Sequence, residues 1–104
     1  MIVILYRWRV APAMEDTFIE NWSLITRHYL KHSGGLGSRL HRGSDGIFYA
    51  YAQWPDNETH ERATLDVRME LARLRLQEAV IEGFPKINFE ILADQLAFSD
   101  RTGE

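Results

Sequence analysis

Seven side chains have the right chemistry to handle a flat, acidic ring: Arg7, Arg39, His41, Tyr49, Tyr51, Trp54 and His60. Histidine titrates near neutrality, so His41 or His60 can take a proton from a ring hydroxyl. Arg39, with Arg7, can hold the anion that results. Tyr49, Tyr51 and Trp54 offer faces on which an aromatic ring can stack. In this reading His41, His60 and Arg39 are catalytic, and Arg7, Tyr49, Tyr51 and Trp54 bind substrate. A plainer reading stands beside it. Arg7 and Arg9 can pair with Glu90 and Asp94 across strands, and the tyrosines can serve as interface packing.

Other chemistries find less support. His28 and His32 are four apart, a spacing that can hold zinc, yet the chain has no cysteine and no third ligand nearby in sequence. Ser38 lacks a base and an acid to activate it. Gly34-Gly35 and the 43–46 segment read as turns, since neither opens a helix as a phosphate loop does. Asn21 and Asn57 read as exposed helix or turn residues. No metal and no cofactor is expected.

These groups must be positioned by one small domain. The chain has 104 residues, 45% of them hydrophobic and 12% aromatic, which is enough for a packed core. A single domain over 1–98 is expected, with 99–104 a flexible tail. The formal charge is −3, with 12 basic and 15 acidic residues and no basic patch, so nucleic acid is not an expected partner. No apolar run approaches a membrane span, and the N-terminus lacks the basic lead-in of a signal peptide. With no cysteine, a cytoplasmic location is expected.

Residues 2–10 alternate as a strand. Ile2, Ile4, Tyr6, Trp8 and Val10 share one face; Val3, Leu5, Arg7 and Arg9 share the other. Pro12 then suits the first turn of a helix over 12–32, in which Met14, Phe18, Trp22, Ile25 and Tyr29 recur at helical spacing. Strands over 36–42 and 47–54 flank a glycine-containing turn and predict a hairpin. A helical segment runs from an Asp56 cap to Gly83-Phe84-Pro85. It carries two apolar stripes, one through Val67, Leu71, Leu74 and Ile81, the other through Ala72, Leu76 and Val80. Either it bends within 64–67 or its second side meets another subunit. A last strand spans 87–96.

The order β-α-β-β-α-β, with right-handed crossovers, predicts an α+β ferredoxin-like fold: a four-stranded antiparallel sheet with both helices on one side. Ile87, Phe89 and Ile91 are expected to face the helices, and Glu90, Leu92 and Asp94 the open side. The open face would also carry Val3, Leu5, Ile47 and two tyrosines. That is too apolar for water, so a homodimer with sheets face to face is expected, enclosing an aromatic-lined space for a small ligand.

Four stretches together resemble the antibiotic biosynthesis monooxygenase family of dimeric α/β-barrel domains. They are Ile4-Leu5-Tyr6-Arg7-Trp8-Arg9-Val10 with Ala11-Pro12; Phe18 and Trp22; Leu36-Gly37-Ser38-Arg39-Leu40-His41-Arg42; and Tyr49-Ala50-Tyr51-Ala52-Gln53-Trp54-Pro55. The resemblance covers most of 2–98. It implies a ferredoxin-like protomer, a homodimeric barrel and a pocket between sheet and helices. It also implies a cofactor-independent monooxygenase that oxidises a small quinol- or anthrone-type compound with O2, or else a non-catalytic dimeric module that binds a small apolar ligand. The haem-degrading branch carries an asparagine on its first strand and a histidine–tryptophan pair. Here Tyr6, Arg7 and Trp8 occupy that strand and no tryptophan follows Trp54, which disfavours haem cleavage. No catalytic residue is carried over from the quinol-oxidising branch.

Overall fold

The computed structural model describes residues 1–97. Strand β1 (Ile2–Val10) leads through a 3-10 turn (Pro12–Met14) into helix α1 (Glu15–His32). A hairpin of β2 (Gly37–Arg42) and β3 (Phe48–Trp54) follows. Then come α2 (Asn57–Arg62), a second 3-10 turn (Val67–Met69), α3 (Glu70–Glu78) and β4 (Val80–Glu90). The four strands pair antiparallel in the order β2-β3-β1-β4, the ferredoxin-like α+β arrangement expected from the element order. Phe98, where the expected domain ends, and the expected tail over 99–104 lie outside the described residues.

The core forms where α1 and α3 pack together over the sheet. Phe18, at 0% exposure, meets Trp8 and Phe48 edge-on at ring-centre distances of 5.0 and 5.4 Å, the geometry that aligns a ring edge with a neighbour's face. Val10 and Ala79 close the same cluster, with Leu40 and Leu76 against it. Asn21 is buried here rather than exposed, and its amide donates to the Thr17 carbonyl at 2.8 Å, which satisfies part of its polar demand.

The second helical segment is two helices. The Asp56 carboxylate accepts the Thr59 N–H and starts α2; the Asp66 carboxylate accepts the Arg68 N–H and starts the next turn. Two N-caps ten residues apart restart the helix, because each cap needs extended backbone, and Asp66 has φ −61° and ψ 148°. His28 on α1 accepts the Asp66 amide at 3.3 Å and pins the break. The two stripes are thereby explained. Ala72, Leu76 and Val80 face the core, whereas Val67, Leu71 and Ile81 are 83%, 57% and 61% exposed.

The last strand begins seven residues earlier than expected and stops before Ile91. Gly83-Phe84-Pro85 lies inside β4 and does not terminate a helix. Proline is tolerated there because β4 is an edge strand and Pro85 sits in a bulge, where the β1–β4 register shifts between Leu5 and Arg7. This register reverses the expected faces of β4. Ile87 and Phe89 lie opposite Leu5 and Val3 on the open face; Asn88 and Glu90 lie opposite Ile4 and Ile2 on the helix side. The expected partners of the β1 arginines change with it. Arg9 pairs with Glu82 at 3.5 Å, and Arg7 lies over the Phe84 ring at 5.5 Å and donates to the Pro85 carbonyl at 2.9 Å. Glu90 and Asp94 take neither role.

Candidate active site

The sheet divides the seven side chains singled out in the sequence. In the strand register His41, Tyr49 and Arg7 form one open-face row; Arg39, Tyr51 and Leu5 form the next. Trp54 and His60 lie on the helix side, with their rings 5.1 Å apart in an edge-to-face contact. Within one protomer, therefore, a small ring can touch Trp54 and His60 or the other five, not all seven.

Two adjoining chambers lie on the helix side. The first, about 210 Å³ and mainly apolar, sits between the sheet and α1, bounded by Trp8, Trp22, Ile25 and Leu76. The second, about 420 Å³ and mainly polar, is bounded by Asn57, His60, Glu61, Lys86 and Asn88. Tyr6, Tyr29 and Trp54 line both. Glycine shapes one end of this wall: Gly34, at φ +78°, adopts the left-handed turn that ends α1, and a Cβ there would stand 3.0 Å from the Thr59 methyl of α2.

The polar groups at the shared wall are tuned by burial. The Tyr6 hydroxyl and His60 Nε2 are 3.3 Å apart. Burial lowers the His60 pKa below 6.5, the Lys86 charge lowers it further, and Glu61 opposes both. Burial raises the pKa of Tyr6, with a further contribution from Tyr29, and burial also raises that of Tyr29. At neutral pH the site therefore presents two protonated phenols beside an uncharged imidazole: donors for an oxyanion next to a group able to accept a proton. The Ser38 hydroxyl, on a residue that lines the apolar chamber, is buried without a hydrogen-bond partner among the described residues.

On the open face, Tyr49 and His41 are engaged within their own hairpin. The Tyr49 hydroxyl donates to Asp45 at 2.5 Å, and His41 Nδ1 lies 3.3 Å from the Tyr49 carbonyl. Arg7 Nε is buried and unpartnered among the described residues, although Nη2 is bonded to Pro85. No cluster of three or more His, Cys, Asp or Glu suited to a metal occurs among the described residues. His32 packs 4.8 Å from His28, whose Nε2 already accepts the Asp66 amide.

Tyr6, Tyr29 and Lys86 were not singled out in the sequence, and Asn57 was read as a turn residue. One signal for Tyr6 was present. A tyrosine on the buried face of a central strand needs a partner for its hydroxyl, so a polar group had to lie across from it. The place of Lys86 depends on the β4 register, which residue patterning alone did not give.

No family model matches the sequence, and no curated protein matches it by sequence. Solved structures do match in fold. SnoaB, a cofactor-independent oxygenase from Streptomyces nogalater, superposes with a TM-score of 0.72 at 17% identity, over 90% of this chain and 95% of its own. A Bordetella bronchiseptica protein assigned by name to the antibiotic biosynthesis monooxygenases gives 0.73 at 16% identity, over 88% and 97%. One from Nitrosomonas europaea, assigned likewise, gives 0.73 at 13%, over 89% and 100%. The chain has the fold of the antibiotic biosynthesis monooxygenases.

Proposed function

We propose that the protein is a cofactor-independent monooxygenase acting on a small anthrone- or quinol-type compound held between sheet and helices. The observation that carries this reading is the Tyr6–His60 pair at the wall where an apolar and a polar chamber adjoin. A flat ring fits the apolar side against Trp54 and Tyr29. Its hydroxyl replaces that of Tyr6 at His60 Nε2 and loses its proton there, and Tyr6 turns to donate to the oxyanion. The electron-rich anion gives one electron to O2. The superoxide and substrate radicals combine to form a C–O bond, and the resulting peroxide loses water. For an anthrone methylene the balance is CH2 + O2 → C=O + H2O, with no external reductant. The fold shared with SnoaB supports the reaction class by analogy only.

His60 is the base in this reading, and His41 is not, since His41 lies across the sheet. Arg7, Arg39, Tyr49 and Tyr51 then belong to a homodimer interface. Its support is the open face, where Ile87 and Phe89 are 39% and 40% exposed beside Leu5 and Tyr51. No helix among the described residues is long and apolar enough to cross a membrane. The oxygenase reading is tested by oxygen uptake with a panel of anthrones and hydroquinones, with chelator present and no flavin added. Uptake equimolar with product is expected. Tight binding without uptake would leave a non-catalytic binding module. The dimer is tested by light scattering: a stable monomer at micromolar concentration would remove it.

A further inference from the structure

Among the described residues, Lys86 is the only lysine or arginine bordering either chamber. The strand alternation that puts Asn88 opposite buried Ile4 carries Lys86, which follows Pro85 in the bulge, to the helix side, while Phe84 lies on the other face. There it lines the polar chamber beside His60 and two side-chain amides, Asn57 and Asn88. It has no ion-pair or hydrogen-bond partner among the described residues, while five other basic side chains, from Arg9 to Arg73, are paired with acids. An unpaired ammonium and two neutral amides on the wall of one chamber offer donors to a carboxylate, and an aromatic slot adjoins them. Glu61 also borders the chamber, but the Lys86 charge acts on the imidazole more strongly than the Glu61 charge does.

We propose that Lys86 makes the site selective for aromatic acids: a flat ring seated against Tyr29 and Trp54, with a carboxylate substituent held by Lys86, Asn57 and Asn88. This deepens the cavity reading above and rests on it, but it does not require turnover. A neutral aromatic of the same shape leaves the ammonium unmatched. An aromatic amine meets repulsion.

The test is calorimetric binding of 2-naphthoic acid and 2-naphthylmethanol, two probes of one shape that differ in charge. At pH 7.5 and low salt the acid should bind about tenfold more tightly, as expected for one partly solvated charge-assisted contact. Lys86→Met keeps the aliphatic stem and should reduce the preference to about twofold or less. Lys86→Arg should keep most of it, and Glu61→Gln should raise acid affinity about two- to threefold. Raising salt should erode the preference, as screening requires. Lys86 is exposed, so these substitutions leave the fold standing. Equal binding of both probes by the natural protein, or an undiminished preference in Lys86→Met, would overturn the proposal. Failure of both probes to bind would overturn it together with the cavity reading. A Lys86-dependent preference without oxygen uptake by quinols would sustain it while removing the oxygenase.

Discussion

The two faces of this sheet carry similar residue types in different surroundings. On the helix side Tyr6 and His60 face each other in a walled space, and burial is the first cause moving both pKa values, the phenol up and the imidazole down. On the open face Tyr49 is also raised, but by its hydrogen bond to Asp45, a neighbour in its own hairpin. The first arrangement prepares groups for something that enters from outside. The second satisfies the Tyr49 hydroxyl within its own hairpin. Residue type alone does not separate a reactive tyrosine or histidine from a structural one; what covers it does.

The sharpest way to break this comparison is to remove one histidine from each face. His60→Ala should lower kcat on an accepted quinol by about 10²–10⁴-fold, the usual contribution of a general base, and leave binding within about threefold. His41→Ala should leave kcat within about threefold. If the large loss falls on His41, the chemistry belongs to the open face. The pH profile adds a second reading. The base works only when uncharged, and burial lowers its pKa below 6.5, so kcat/KM should fall as pH drops through that lowered value. An acid limb centred above 6.5 would contradict the assignment.

Next in size is the support beneath the helix-side cavity. Phe18 is fully buried against Trp8 and Phe48, so Phe18→Ala should cost about 3–5 kcal/mol in urea unfolding. A loss under about 1 kcal/mol would mean that this core is not packed as described. The hairpin on the other side gives a smaller effect. A Cβ at Gly43 would stand 2.5 Å from Asp45 Oδ1 and 2.7 Å from the Tyr49 ring. Gly43→Ala should therefore displace the Asp45–Tyr49 pair and lower Tm by about 5 °C, with little change in turnover. An equal fall in kcat would tie the two faces together.

The architecture was legible because local and global signals agreed. β1 alternates with period two, α1 has Pro12 near its start and glycine after its end, and Gly43 and Gly46 mark the hairpin. Three features were not legible, for identifiable reasons. The break before Asp66 was signalled by a second capping residue, but two apolar stripes are equally consistent with one helix shared between subunits. Gly83-Phe84-Pro85 reads as a helix stop unless the following strand is known to be an edge strand with a bulge. The faces of β4 then follow from that bulge, since one extra residue exchanges inside and outside. The candidate site inherits the same limit. Trp54 and His60 were found from their types, whereas their separation from Arg7, Arg39, His41, Tyr49 and Tyr51 is a property of the sheet.

The smallest effect concerns the residue with which the expectation and the structure differ most cleanly. Arg9 was matched in sequence to an acid on the far part of the chain, and the bulged register gives it Glu82 instead, at 3.5 Å with both side chains about half exposed. Exposed pairs of this kind contribute little, because water screens the charges and two long side chains lose freedom in meeting. A double-mutant cycle of Arg9→Ala and Glu82→Ala should give a coupling of about 0.2–1 kcal/mol that falls as salt rises. Arg9→Ala with Glu90→Ala should be additive, because Glu90 pairs with Ile2 on the helix side. Coupling to Glu90 in place of Glu82 would mean a β4 slid by eight residues against β1. It would return Lys86 and Asn88 to the question of which face they serve, and with them the polar half of the proposed site.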